Sequence, residues 1–355
     1  PIFTAGEWRI SAVMGTSLKA YLAKHDESEA AIAVATTVQL IADTGVALSN
    51  TIANGPLGAK FAEKEGDTNA DGDAQRGLDL LADDRFLAAL SQSSVGVYAS
   101  EELTHPVLID PTRPLAVAID PLDGSSNIDT NVSIGTIFSI RPVSGDRMEP
   151  FLCDGRRQLA AGFLIYGPQL ALVLTLGQGT AIFIYSHAAG DFLLSTPACE
   201  VPVKRPEFAI NASNYRHWEE PVRLYFDDCL KGGHGPREAE FNMRWIASLV
   251  AETYRILVKG GAFLYPGDRR RGYAKGRLRL VYEAHPIAML VEQAGGLATD
   301  TIDPILDIAA TDLHQRVPLV FGSAAEVRRI GRYHTMSSEM PDRAPLFAKR
   351  TLFQA

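Results

Sequence analysis

The sequence predicts an α/β fold, α+β with mixed sheets, built as two lobes. Three observations carry that expectation. Helical-period and strand-like runs alternate before residue 130 and again after residue 240. Between Val132 and Ser186 the pattern is β alone, cut by Gly/Pro turns. A Pro-rich break, "TPACEVPVKRPE", separates these halves from Thr196 to Glu207. With 355 residues the chain can bury a large core and is long enough for two lobes. The expected division is 1–200 and 201–355.

The elements follow in order. From Ser28 to Asn54, Val34, Val38, Ile41 and Leu48 recur at helical spacing, and Asn54-Gly55-Pro56 closes the run. A polar, turn-rich segment, "EKEGDTNADGD", comes next. Leu78 to Leu90 reads as a helix, "SSVGVYASEEL" as a strand ending on paired acids, and Leu115 to Ile119 as a second strand. The runs "VSIGTIFSIRP", "AAGFLIYG", "LALVLTLGQG" and "TAIFIYS" are joined by links as short as "GPQ" and "GQG", so antiparallel neighbours are expected. In the second half, Met243, Ile246, Val250 and Leu257 predict a helix over 240–258, stopped by Gly260-Gly261. "RLRLVYE" reads as a strand. A further helix opens at Pro286 and closes at Gly295-Gly296.

Composition narrows the function. The formal net charge is -8, without the concentrated basic footprint of a nucleic-acid binder. An anionic substrate stays open, because bound cations or a local basic cluster can override a global balance. The three cysteines, Cys153, Cys199 and Cys229, fit neither a disulfide framework nor a zinc spacing, which points to a reducing compartment. The first residues lack a basic-then-apolar signal pattern and no run of 18 apolar residues stands out, so the expectation is a cytoplasmic protein with no membrane partner.

Four acidic groups terminate elements: Asp73/Asp79, Glu101-Glu102, Asp120/Asp123 and Glu283. "VYASEE", "LAVAID" and "LRLVYE" each put carboxylate at the C-terminal end of an apolar strand, where open α/β sheets bind ligands. If these ends converge, the site is oxygen-rich without cysteine or histidine, which suits magnesium or manganese rather than zinc. After Asp123, Gly124 permits close backbone approach, and Ser125, Ser126 and Asn127 offer donors that can hold a phosphate or merely cap a helix. Cations beside a phosphate pocket amount to metal-assisted phosphoryl transfer. The run "GDRRRGYAKGR" from Gly267 could hold a second anionic group or be a solvated loop, and Tyr215, Arg244 and Tyr265 could bind or pack. "DTNADG" from Asp67 begins like a calcium loop, but Leu78 stands where the bidentate glutamate belongs. No P-loop, GxSxG or HExxH motif occurs.

The stretch "DPLDGSSNIDTNVSIGTIFSI" closely resembles the signature of class I fructose-1,6-bisphosphatase, in the lithium-sensitive, magnesium-dependent sugar and inositol phosphatase superfamily. "NADGDAQRGLDLLAD", "SEE", "GGAFLYP", "GRLRLVYEAHPIAMLVEQAGGLATD" and "TDLHQRVPLVFGS" resemble further blocks in the right order, over roughly residues 25 to 330. The resemblance implies a layered α-β-α-β-α sugar phosphatase fold. The N-terminal lobe would bind metal and the 1-phosphate, and the C-terminal lobe the sugar and 6-phosphate. It implies metal ligands at Glu101, Asp120, Asp123, Glu283, the Leu122 carbonyl and Asp73, holding two or more Mg2+ (or Mn2+) per subunit. Asp79 and Glu102 would orient and deprotonate the attacking water. Asn69, Gly124, Ser125 and Ser126 would contact the leaving 1-phosphate. Asn211, Tyr215, Tyr265 and Arg277 would hold the sugar and 6-phosphate, with Arg244 reaching in from a neighbouring subunit of a homotetramer.

The departures are specific. Arg277 stands where the family usually has lysine, and Trp245 where it has tyrosine beside the cross-subunit arginine. The segment "HDESEAAIA" and Pro114-Leu115 replace the animal-type AMP-site residues, so weak or absent AMP inhibition is expected. Val143 to Gln158 holds only Cys153, so the chloroplast-type disulfide switch is not expected. The pattern is most similar to bacterial members, serving gluconeogenesis or the Calvin cycle. The expected activity is hydrolysis of the 1-phosphate of fructose 1,6-bisphosphate by a metal-activated water. The rivals are a sedoheptulose-1,7-bisphosphatase or bifunctional enzyme, a silent sugar-phosphate-binding homologue, and an inositol or nucleotide monophosphatase.

Overall fold

The computed structural model describes residues 15–24, 28–54, 64–68 and 74–335, with 64–68 and 74–76 described as backbone. Helix α1 (Leu18–Leu22) is capped by the Ser17 hydroxyl, and α2 (Glu29–Ala53) by the Ser28 hydroxyl, which accepts from the Ala31 N–H at 3.3 Å. Helix α2 is long and apolar enough to cross a bilayer by length and composition. Here its stripe of Val34, Val38, Ile41 and Leu48 is instead buried in the interior. A short antiparallel pair, β1 (Lys64–Thr68) and β2 (Ala74–Arg76), leads into α3 (Gly77–Leu90).

The next strands are β3 (Val95–Ser100), β4 (Val107–Leu108), β5 (Leu115–Asp123), β6 (Ile134–Pro142) and β7 (Ala160–Tyr166). They continue with β8 (Leu170–Thr175), β9 (Thr180–Ser186) and β10 (Asp191–Thr196). All join one eight-stranded sheet in the order β10-β9-β8-β7-β6-β5-β3-β4. Only β3 and β5 run parallel; the rest is antiparallel, as the short links between β7, β8, β9 and β10 require.

The second half contributes β11 (Glu207–Ala209), α4 (Glu220–Leu230), β12 (Asn242–Met243), α5 (Leu249–Lys259) and β13 (Ala262–Tyr265). After these come β14 (Leu278–Arg279), α6 (His285–Gln293), β15 (Leu297–Thr299), β16 (Arg316–Val317), β17 (Leu319–Gly322) and α7 (Ala324–Thr335). A five-stranded mixed sheet has the order β12-β11-β13-β17-β15, while β14 and β16 form a separate ribbon.

Side-chain alternation along the strands fixes the layering. On β5, Leu115, Val117 and Ile119 pack with α1, α2 and α3, whereas Ala116 and Ala118 face a second core shared with α5, α6 and the smaller sheet. On β13, Phe263 enters that shared core, while Ala262 and Leu264 face α4 and α7. The result is a five-layer α-β-α-β-α molecule whose middle core belongs to both halves of the chain.

Three expectations are corrected. The helix expected over 240–258 begins only at Leu249, because Ser248 caps it; the preceding residues pair β12 with β11. "RLRLVYE" is not a full strand: after Leu278–Arg279 the backbone turns into one π-helical turn, Leu280–Ala284, that runs into α6. Strand β10, not expected from the sequence, extends the main sheet beyond β9.

Candidate active site

The C-terminal ends of the parallel neighbours β3 and β5 lie side by side, with Ser100 opposite Ile119, so the next residues, Glu101 and Asp120, emerge together. Asp120 and Asp123 are three apart, a spacing that in a regular strand points side chains to opposite faces. Here Asp120 pairs with Ile137 and Asp123 with Gly135, so three steps on β5 oppose two on β6. This bulge turns both carboxylates into one pocket. Gly135 is needed there: a Cβ on it would lie 2.3 Å from the Leu164 carbonyl and 2.7 Å from Val250, where α5 packs onto the strand. That close approach lets the Val250 N–H, in the first turn of α5, donate to Asp123 Oδ2 at 3.2 Å. Glu283 enters from the π-helical turn, its carboxylate accepting from the Arg279 N–H.

Asp120, Asp123 and Glu283 thus present carboxylate oxygens all within 4.8 Å of one another, and all three are buried. Crowded and desolvated, they resist ionisation. Burial pushes Asp123 up to about 6, and burial followed by repulsion from Asp123 pushes Glu283 up to about 8. Glu101 and Asp120 lie well above the carboxylate range, chiefly through burial and then through Glu283 for the first and Glu101 for the second. Three or four carboxylates at one point, without sulfur or nitrogen ligands, form a donor set for a hard divalent cation. The residues present fit the magnesium or manganese that the sequence led us to expect.

Beyond Asp123 the chain turns through Gly124, whose φ of +76° lies in the left-handed region that glycine adopts without strain. A 3-10 turn, Ser125–Thr130, follows. The Asn127 amide donates to the Ala247 carbonyl at 2.8 Å and ties this loop to the second half of the chain. A cleft of about 400 Å3 opens between them. It is lined by Glu101, Asp123, Gly124, Ser126 and Glu283 with Arg279 and Arg316, and by Asn211, Tyr265 and Arg277, which also line an adjoining hollow that holds none of these acids. The wall is an aromatic ladder: Trp245 and Phe263 stack at 6.1 Å, and Phe263 and Tyr265 at 6.2 Å.

About half of the expected residues therefore meet in one place, and the others do not. Asp79 is buried in the first turn of α3, the layer behind β5. Glu102 directly follows Glu101, its N–H donating to the Ser100 hydroxyl at 3.2 Å. Leu122 is buried in the last turn of β5 before Gly124, and Ser125 opens the 3-10 turn. Tyr215 does not line the cleft: its hydroxyl donates to Asp227 at 2.9 Å. Arg244 projects outward on the exposed surface, 3.8 Å from Glu207. Asn69 and Asp73 lie outside the described residues. Arg279 is the residue that reading the sequence passed over. Its buried guanidinium lies 3.2 Å from Glu101, supplying positive charge beside the acids. The signal was available in "RLRLVYE", which puts Arg279 two residues from Arg277 and four before Glu283. Arg316, opposite Arg279 across the β14–β16 ribbon, was missed for want of any local pattern.

Most of the chain matches known proteins. The family models described as fructose-1-6-bisphosphatase, N-terminal and C-terminal domains, match residues 20–197 and 201–335. The fructose-1,6-bisphosphatase class 1 of Rhizobium meliloti (strain 1021) is 58% identical over 347 residues, covering 96% of this chain and 99% of that protein. The protein of the same name from Methylobacterium radiotolerans is 48% identical over 350 residues, covering 98% and 99%. Among solved structures, the holo form of Leishmania major fructose-1,6-bisphosphatase superposes with a TM-score of 0.84 at 32% identity, covering 90% of this chain and 99% of that one.

Proposed function

Because this chain belongs to the class I fructose-1,6-bisphosphatase family, we propose that the cleft between its two halves carries out that family's hydrolysis, with the acidic end as the reacting end. The activity is hydrolysis of fructose 1,6-bisphosphate to fructose 6-phosphate and phosphate. The observation that carries the assignment of ends is the lining of the cleft: carboxylates with Gly124 and Ser126, and then Asn211, Tyr265 and Arg277, which continue into an adjoining hollow that holds none of those carboxylates. A molecule with two phosphates on one sugar spans such a cleft.

Asp120, Asp123, Glu283 and Glu101 would hold the divalent cations, with Asp73 and the Leu122 carbonyl completing the set. Bound there, such cations lower the pKa of water and neutralise charge on a transferring phosphoryl group. The chain's own groups do the rest. The Gly124-Ser125-Ser126 backbone and hydroxyls, with Asn69, hold the 1-phosphate where its oxygens meet N–H and O–H donors. Arg279, beside Glu101, adds positive charge that stabilises the equatorial oxygens as the bond to the sugar breaks. Glu102 and Asp79, neither of which lines the cleft as the chain stands, would have to turn towards it to orient the attacking water and take its proton. The leaving group is the C1 oxygen of the sugar; the water attacks the phosphorus directly, without a covalent enzyme intermediate, and the products are fructose 6-phosphate and inorganic phosphate. At the far end Asn211, Tyr265 and Arg277 fix the 6-phosphate, and the guanidinium fork of Arg277 offers bidentate contact where lysine gives a point charge. Tyr215 joins only after rearrangement, and Arg244 from an adjacent subunit, which requires at least a dimer; the homotetramer is what the family resemblance implies.

Purified protein assayed for phosphate release tests this division. Glu101→Gln should lower kcat about 10²-fold or more with little change in KM, while Arg277→Ala should chiefly raise KM, because one acts on the reacting end and the other on the anchoring end. Unchanged magnesium-dependent release by Glu101→Gln would overturn the assignment. Turnover of sedoheptulose 1,7-bisphosphate in the same assay measures its place as a co-substrate.

A further inference from the structure

A second cavity, of about 320 Å3, lies at the opposite end of the smaller sheet from the catalytic cleft. Strands β11 and β12 run parallel, and the cleft residues Asn211 and Trp245 follow their C-terminal ends. The residues that precede their N-terminal ends, Arg205-Pro206 and Phe241, line the second cavity. Its floor is built rather than incidental. Arg237, with 5% of its side chain exposed, is paired bidentately with Glu326 at 2.7 and 2.8 Å and lies over the Phe241 ring at 4.4 Å. This pair neutralises Glu326, the one acid on the cavity wall.

Four more cations line the same wall: Lys204 and Arg205 ahead of β11, and Arg329 and Arg332 on one face of α7. Among the described residues none of the four is in an ion pair. In a chain of net charge -8, acids are plentiful, yet this wall gathers four like charges around one hollow. Their mutual repulsion is relieved by a multiply charged anion of matching size. The fork geometry of three arginines suits the tetrahedral oxygens of phosphate.

We propose that this cavity is a second anion site, distinct from the cleft, that takes the phosphate group of a small metabolite. It holds the starts of the two strands whose ends carry Asn211 and Trp245, and it needs no metal, since Glu326 is already paired. The test is calorimetric titration of the full chain with inorganic phosphate, in magnesium-free buffer at constant ionic strength. Wild type should bind phosphate in two classes. Arg277→Ala should weaken the cleft class and keep the other. The double variant Arg329→Glu/Arg332→Glu, on the helix surface, should weaken the second class at least tenfold and keep the first, with an unchanged far-ultraviolet circular dichroism spectrum. An isotherm of the double variant matching wild type would overturn the proposal. So would a wild type whose only phosphate is the one that Arg277→Ala removes.

Discussion

Asp120 and Asp123 look mismatched along a strand, since neighbours three apart face opposite ways. The bulge against β6 resolves this, and with Glu283 the two form a buried carboxylate trio. The cost of that crowding has a measurable sign. Asp123 moves from 3.8 to about 6 and Glu283 from 4.5 to about 8, both first through burial. A carboxyl whose pKa is raised by folding is neutral in both states at low pH and costs nothing there. As pH rises past the unfolded value, the unfolded chain ionises first, and stability falls until the folded value is passed. Metal-free protein should therefore melt at progressively lower temperature between about pH 4 and pH 8. Added magnesium should restore the midpoint most at the upper end, because it binds the ionised form. Differential scanning fluorimetry across that range, with and without magnesium, checks this. A midpoint that rises with pH in chelator would contradict the trio's electrostatics.

Glu101, Asp120 and Glu283 were legible in the sequence because each ends an apolar run, a pattern solvated acids do not share. Arg279 was not, because its strand-like context hid the π-helical turn that aims Glu283 and places the guanidinium beside Glu101. Tyr215 and Arg244 were expected at the far phosphate from the resemblance; in a single chain one bonds Asp227 and the other faces outward. No local pattern could have shown that.

At the scale of elements, the site depends on how closely α5 packs on β6. Gly135 makes that approach possible, and the helix then brings the Val250 N–H to Asp123. Gly135→Ala should force the helix away and destabilise the protein by about 1–3 kcal/mol, the usual range for overpacking. It should also lower kcat more than Gly162→Ala, which crowds Phe138 and the Val173 carbonyl on strands behind the site. Denaturant unfolding followed by activity at matched folded fraction separates the two effects. Equal kcat losses in both variants would show that α5 does not position Asp123.

The helices α2, α3 and α6 and strands β5 to β9 were readable from periodicity and turn residues. Helix α5 was misplaced at its start because Met243 and Ile246 happen to fit its period, yet both are exposed and Ser248 caps the helix after them. Strand β10 was overlooked because "DFLLST" is short and sits between turn-rich segments.

For the whole molecule, the alternation on β5, β7 and β13 explains how two sheets and three helical layers enclose three cores, the middle one shared by both halves. The two halves suggested by the Pro-rich break meet through that shared core, and the cleft lies where they join. The family to which the chain belongs makes the molecule a bisphosphatase, and the proposed division of the cleft, acids and Gly124–Ser126 for one phosphate and Arg277 for the other, fits a substrate with two.

The measurement that bears most directly on this account is the position of bond cleavage and its dependence on divalent cation. Fructose 1,6-bisphosphate incubated with the purified chain and magnesium should yield one phosphate per sugar, with fructose 6-phosphate as the only sugar product. The reaction should stop when magnesium is chelated. Release that continues in chelator, or fructose 1-phosphate among the products, would contradict the assignment of the carboxylate end as the site of hydrolysis.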